Sequence, residues 1–489
     1  MNNRDKHFLS KGKYLVVMVG VLLGGCSSFS TEYTRPAMPV SNQLSAQAGA
    51  HAPGLSSQLA MAVPWQTFIK DERLKAVITL ALENNRSLRE TLADVEAARA
   101  TYRIQRSDLY PNIDVSVSGT RARSTSGVTS SSYAAEVGLS SYEIDLFGKN
   151  QRLTDAEMET YLASEDTFRA TKITLIGEIA NAWLTLAADQ NLLSLAKETA
   201  DNAQQTLTIT QKRMELGVDS RIDVASAKTT YYAAQSDIAS YTTQVNQDIN
   251  ALRLLVGSDV DQSVLATMLP DSDELVTDIP AGLGSDILLT RPDVLAAEHD
   301  LKAAHADIDA ARAAFFPSIS LTAAGGLGSL SLSDLFSSGA TKIWSLAPSI
   351  SLPIFNGGEN EANLDYAKAQ QQKYLAAYEY AIQSAFSEVA DALARRATIQ
   401  QQIDAEEALV AASKQSYELS LARYKKGVDS FQTALEAQRT YYSAAQSLIL
   451  TRQSDLENRI TLYRVMGGGI AQNNAVDPAT DTARSDTNT

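Results

Sequence analysis

The sequence is short of nearly everything that catalytic and disulfide-bonded proteins rely on. One cysteine in 489 residues leaves no disulfide framework and no cysteine-based zinc or iron–sulfur cluster. The four histidines (His7, His51, His299, His305) are scattered, and the six-residue spacing of the last two does not stack them on one helical face. Both read as helix-surface residues rather than metal ligands. There is no HExxH, no nucleophile elbow and no phosphate-cradling glycine loop, so no convergent catalytic set is visible and an enzyme is disfavoured. Basic residues are in deficit: 42 Lys and Arg against 57 Asp and Glu give a net charge of −15, which speaks against nucleic acid as a partner. The 25 glycines and 12 prolines are about 8% of the chain against a usual ~12%, which leaves room for unusually long helices. Length alone suggests about three domains.

What is present begins with an address. Arg4, Lys6, Lys11 and Lys13 precede an apolar stretch over 14–23, which is too short to span a bilayer. It ends in Leu23-Gly24-Gly25-Cys26, which resembles a bacterial lipobox. Residues 1–25 are therefore expected to be a signal peptide and Cys26 an acylated (palmitate-bearing) N-terminus. Ser27 in place of Asp favours the outer over the inner membrane by the same resemblance. Processing would take the net charge to −18. No later segment has 18 consecutive apolar residues, so no transmembrane helix is expected.

The body is written twice. Arg213-Met-Glu-Leu-Gly217-Val-Asp-Ser220 recurs as Arg423-Tyr-Lys-Lys-Gly427-Val-Asp-Ser430, and 10 of the 22 positions from 213 to 234 recur identically at an offset of 210. Chance would give one or two, so this is a duplication. Each copy has one plan. A helix (71–109; 286–316) ends before Pro111 or Pro317. Two strands follow, at about 112–122 and 133–146 in the first copy and 318–326 and 343–355 in the second. Ile113, Val115 and Val117 alternate with Asp114, Ser116 and Ser118, and Trp344, Leu346, Ile350, Leu352 and Ile354 share one face. Ser/Gly-rich loops are expected at 124–132 and 325–340. Then comes a helix of about 100 Å, over 149–216 and 359–426, with Gly177 the sole interruption in the first. Leu375, Ile382, Phe386, Val389 and Leu393 set its coiled-coil seam. Beyond Gly217 or Gly427 a shorter helix returns, over 428–466 in the second copy. Four strands with open edges cannot close a barrel, so two or more protomers must contribute.

These features resemble the TolC-like outer-membrane efflux proteins, in the lipoprotein branch that serves resistance-nodulation-division pumps. The motifs that carry the resemblance are Tyr33-Thr-Arg35-Pro36, Trp65-x-x-Phe68-x-x-Asp71-x-x-Leu74, Tyr142-Glu-Ile-Asp-Leu-Phe-Gly148, Arg291-Pro-Asp293-x-x-Ala296-Ala-Glu298, Ala310-Ala-Arg-Ala-Ala-Phe-Phe-Pro317 and Leu352-Pro-Ile-Phe-Asn-Gly-Gly358. The resemblance implies a mainly α fold with a membrane β-barrel. Each chain is a two-fold repeat of helix, two strands, long helix and helix. Three chains make a 12-stranded barrel continuous with a 12-helix periplasmic barrel. The expected division is an acylated segment and equatorial part at 26–70, repeats at 71–257 and 286–469, an equatorial connection at 258–285 and a polar tail at 470–489. The implied location is the outer membrane of a Gram-negative bacterium. The implied partners are two further copies, outer-membrane lipid, a periplasmic adaptor and an inner-membrane transporter; no metal or other cofactor is implied beyond the lipid on Cys26.

Function and site residues follow from the same resemblance: a passive, gated duct exporting small molecules. Adaptor contact falls on the tips, at Arg213, Gly217, Val218, Ser220, Arg423, Gly427, Val428 and Ser430. The aperture falls on Asp223, Tyr424, Glu436 and Arg439. Asp223 and Tyr424 match a latching pair, Glu436 an acid ring, and Arg439 stands one turn on, where it can pair with Glu436. Asp429 occupies the position of a family arginine. The alternatives are the outlet of a type I protein-secretion system, a metal-ion efflux outlet, and a soluble coiled-coil scaffold.

Overall fold

The structure, a computed structural model, describes residues 33–40, 63–277 and 285–469. The expected signal peptide, Cys26 and the polar tail lie outside the described residues. In chain order the longer elements are α1 (Glu72–Asn84), α2 (Arg86–Ser107), β1 (Ile113–Arg123), β2 (Thr129–Glu143), α3 (Lys149–Glu215), α4 (Arg221–Val256), α5 (Pro292–Ala313), β3 (Ser318–Ser329), β4 (Thr341–Ser351), α6 (Glu359–Lys425) and α7 (Phe431–Val465). The chain is mainly helical, and α2–β1–β2–α3–α4 is repeated as α5–β3–β4–α6–α7. It divides into two compact units that cut across this repeat. One takes 33–37, 93–165 and 296–380; the other takes the remaining described residues. The three sequential domains suggested by length are not what forms.

The first unit holds one antiparallel sheet of order β1-β2-β3-β4, which leaves β1 and β4 as its edges. Register aligns Val115, Val137, Gly325 and Trp344 in one row and Ile113, Leu139, Ala323 and Leu346 in the next. One face is therefore continuously apolar, and it is exposed, Trp344 by 80%. The opposite face carries Asp114, Ser116, Ser345 and Ser349. The expected strand limits need correction. β3 runs on to Ser329 through Gly325, Gly326 and Gly328, which had read as loop. At Gly326 a Cβ would stand 2.0 Å from the Ala135 carbonyl, so glycine here serves close strand approach. β4 stops at Ser351, because Pro353 cannot donate to the ladder and Gly357 and Gly358 turn with positive φ. Alanines 156, 303 and 306 pack the start of α3 against α5. Neither helical histidine is a bare surface group: His299 Nδ1 lies 2.6 Å from Glu159, and His305 Nδ1 lies 3.1 Å from Gln371. Arg35 makes two bonds to the buried carboxylate of Glu298 (2.9 and 2.6 Å), so two of the quoted motifs meet here.

In the second unit, Asp71 caps α1 through the Arg73 and Leu74 amides, and Leu74, Val77, Ile78 and Ala81 form its buried stripe. The helix expected over 71–109 breaks at Asn85. Its side chain accepts from Leu88 N (2.7 Å) and donates to Leu255 O (2.6 Å), ending one helix and capping the next. Gly177 does not interrupt α3. A Cβ there would stand 3.1 Å from Arg464 Cδ, so the glycine makes room for a neighbour. The buried stripe of α6 in this unit is Ile382, Ala385, Val389 and Ala392, with Phe386 and Leu393 flanking it rather than lying in it. Arg291, 7% exposed, binds Asp293, Glu388 and the Val465 carbonyl, which fixes the start of α5 to α6 and to the end of α7. Among the described residues no helix is long and apolar enough to cross a membrane.

Candidate functional site

Two helical turns in the second unit carry most of the residues singled out above. α3 gives way to α4 across 216–220, and α6 to α7 across 426–430. Both glycines are left-handed (Gly217 φ 76°, Gly427 φ 75°). The amides of Val218 and Val428 turn back onto the Arg213 and Arg423 carbonyls, at 2.8 and 3.0 Å. This closure ends each helix and strains any residue with a Cβ. Nothing lies within 4 Å of either would-be Cβ, so the demand is torsional and not one of close approach. Each arginine then folds onto the aspartate six residues on. Arg213 Nε to Asp219 is 3.0 Å, and Arg423 Nη2 to Asp429 is 3.0 Å. The second pairing holds the Asp429 carboxyl below the usual carboxylate range. Asp429 is thus the clasp of its own turn.

Beyond this the two turns differ. Asp219 also accepts from the Tyr424 hydroxyl, which contacts Thr210 Oγ1 at 2.9 Å. The Arg213 guanidinium lies 4.8 Å from the Tyr424 ring centre. Tyr424 is 1% exposed in a cluster with Leu207, Val224, Ala227, Phe431, Ala434 and Leu435. Burial, and then the Asp219 carboxylate, push its phenol up to about 12. The expected Asp223–Tyr424 pair is therefore corrected to Asp219–Tyr424. Asp223 is engaged elsewhere: it accepts from Ser220 N (2.9 Å) and Oγ (2.7 Å) and receives the Ser220 cap in return. This reciprocal capping box engages one oxygen of that carboxylate within its own turn. Ser430 makes no equivalent cap on α7.

The remaining expected residues separate. Glu436 accepts from Gln432 (2.9 Å) and is exposed. Arg439 forms no ion pair with Glu436; it lines a 90 Å³ cavity with Thr199, Asp237, Gln438 and Tyr442. Above the turns, α7 is tied to α4 by Tyr442 to Asp237 (2.9 Å) and Gln446 to Tyr241 (3.0 Å). Leu216, Val218, Ile222 and Val428 stand exposed at the turns. Asp219 had been passed over, although its identity in both copies of the repeated motif was the available signal. This chemistry is one of hydrogen bonds that can be made and released.

Comparison with known proteins accords with this geometry. The family model described as "Outer membrane efflux protein" matches residues 77–258 and 283–468, both halves of the duplication. The antibiotic efflux pump outer membrane protein ArpC of Pseudomonas putida is 43% identical over 470 residues, 94% of this chain and 96% of its own length. The toluene efflux pump outer membrane protein TtgC of Pseudomonas putida is 42% identical over the same span and coverage. The open state of the Neisseria gonorrhoeae MtrE outer membrane channel superposes with a TM-score of 0.81 at 37% identity, covering 90% of this chain and 98% of that one.

Proposed function

The chain belongs to the outer membrane efflux protein family, and from that membership we infer that it is the outer-membrane channel of a tripartite efflux system. It resides in the outer membrane, with its helical part in the periplasm. The observation that carries this reading is the full-length similarity to efflux channels, matched by the duplicated strand-and-helix body. Its role is transport and not catalysis.

The finer account is our proposal. The apolar sheet face and the two strand edges favour a homotrimer in which β1 of one copy pairs with β4 of the next, giving 12 strands. Cys26 carries the acyl anchor. The exposed apolar residues of the turns, with Arg213, Gly217, Ser220, Arg423, Gly427 and Ser430 shaping them, receive the periplasmic adaptor. That adaptor couples the duct to an inner-membrane resistance-nodulation-division transporter. Asp223, Tyr424, Glu436 and Arg439 surround the aperture, with the Tyr424 tie made to Asp219. Adaptor engagement opens it by shifting a closed-to-open equilibrium. Antibiotics and organic solvents, the cargo named for the relatives, are the first substrates to try.

Deleting the gene and profiling antibiotics, toluene, bile salts and metal ions tests this. Multidrug and solvent sensitivity restored by complementation supports it. Sensitivity to metal ions alone, or loss of one secreted protein with drug resistance intact, would replace it with the corresponding alternative.

A further inference from the structure

Where α2 leads into β1 and β2 leads into α3, the first unit holds a cavity of about 740 Å³, within the size range of small-ligand sites. Its walls are polar, with Ser107, Asp108, Ser140, Glu143, Lys149 and Asn150 among them. Asn150 is 8% exposed, yet its side-chain amide makes no hydrogen bond to any described residue. Because Asn150 lines the cavity, its amide is available to bond a group held there. Ser141, in the same wall, holds a φ of 49° beside the bulge between Leu139 and Tyr142. Such strain in a non-glycine residue points toward a functional constraint.

The charges are arranged in two halves. Lys149 is the first residue of the 67-residue helix α3, where the helix dipole adds to its positive charge. Asp108 and Glu143 supply the negative half, and Glu143 holds Lys149 only loosely, at 3.9 Å. Two carboxylates against one lysine disfavour a bare phosphate or an anionic headgroup. They suit a group that carries its own cation.

We propose that this cavity binds the zwitterionic headgroup of an aminophospholipid, with its phosphate at Lys149 and Asn150 and its primary ammonium at Asp108 and Glu143. The site lies where the strands end and the helices begin, the level of the inner-leaflet headgroups, and so the proposal rests on the outer-membrane reading. A bound lipid here completes the Asn150 amide and holds the strand-to-helix junction at a fixed depth in the bilayer.

The test uses the full-length protein purified from outer membranes as wild type, Lys149→Ala, Asn150→Leu and the double variant Asp108→Asn/Glu143→Gln. Bound lipid is quantified by mass spectrometry after extensive detergent washing. Wild type should retain phosphatidylethanolamine. Lys149→Ala and Asn150→Leu should lower its retention about tenfold, as expected for losing a charge-assisted or buried hydrogen bond. The double variant should retain phosphatidylglycerol in its place. Equal amounts and equal headgroup composition in all four proteins would overturn the proposal. So would inorganic phosphate displacing the lipid as well as soluble phosphoethanolamine does, since that marks an anion site only. Unchanged circular dichroism and heat-modifiable mobility separate these outcomes from misfolding. Density-gradient fractionation reports independently on the membrane reading: wild type in the outer membrane without bound aminophospholipid sinks this proposal and leaves that reading intact.

Discussion

Removing the Tyr424 hydroxyl isolates the bond on which the tip geometry turns. In Tyr424→Phe the ring stays in its cluster, 5.3 Å from Phe431, so packing is conserved. Asp219 keeps its 3.0 Å bond from Arg213 and is not left as an unpaired charge. Thr210 keeps its own bond to the Thr206 carbonyl at 3.0 Å. What is lost is the bond to the Asp219 carboxylate, worth about 2 kcal/mol, or roughly a 30-fold shift in any equilibrium that breaks it, together with the 2.9 Å contact to Thr210 Oγ1. If that bond ties the aperture shut, Tyr424→Phe raises mean single-channel conductance and open probability in planar bilayers. Asp219→Ala does at least as much, because it also releases Arg213. The double variant should fall short of the sum, since both changes remove the same contact. Asp223→Ala removes only a helix cap, about 1 kcal/mol, and should leave conductance near wild type. The reasoning is refuted if Asp223→Ala opens the channel while Tyr424→Phe and Asp219→Ala behave as wild type.

Three further outcomes follow from the described contacts. On α3 and α4, burial and the neighbouring Asp189 carboxyl push Asp248 up to about 7, and one Asp248 oxygen has no donor. The unfolded chain releases that proton near pH 4, so stability falls as pH rises from about 4 to 7 and stays low above; Asp248→Asn should melt higher than wild type at pH 8, with the difference gone at pH 4. Gly326→Ala places a Cβ against the Ala135 carbonyl and should abolish heat-modifiable oligomers in outer-membrane fractions, whereas Gly325→Ala, whose Cβ would meet only the Ile343 carbonyl at an ordinary 4.0 Å, should not. Arg35→Ala strands Glu298, 2% exposed, and should cost about 3 kcal/mol in denaturant titration, with Lys302 at 3.5 Å limiting the loss.

The elements legible in the sequence were those written by long periodicity and by duplication. The two 67-residue helices fall within a residue of their expected ends, and the Arg-x3-Gly-Val-Asp-Ser turns close as their glycines require. Misreadings arose where a residue's role depends on something distant in sequence. Gly326 looked like loop punctuation because the Ala135 carbonyl that demands it lies on another strand. Gly177 looked like a helix break because Arg464 is nearly 300 residues away. Asn85 sits in a helical pattern, yet it is the Leu255 carbonyl that recruits its side chain. The Tyr424 partner was placed at Asp223 by family correspondence, while Asp219, four residues earlier in the turn before α4, carries the bond; spacing cannot separate two carboxylates so close at one turn. The cavity at Asn150 had no signature at all, since its walls come from two junctions of ordinary polar residues.

The central claim, that this chain is the outlet of an energised efflux route, is tested most directly by following a fluorescent substrate out of preloaded cells. A deletion strain should retain dye after re-energisation, and expression of the chain should restore rapid efflux that collapses again when the proton gradient is dissipated. Equal efflux with and without the chain, under conditions where it is present in the outer membrane, would contradict the account.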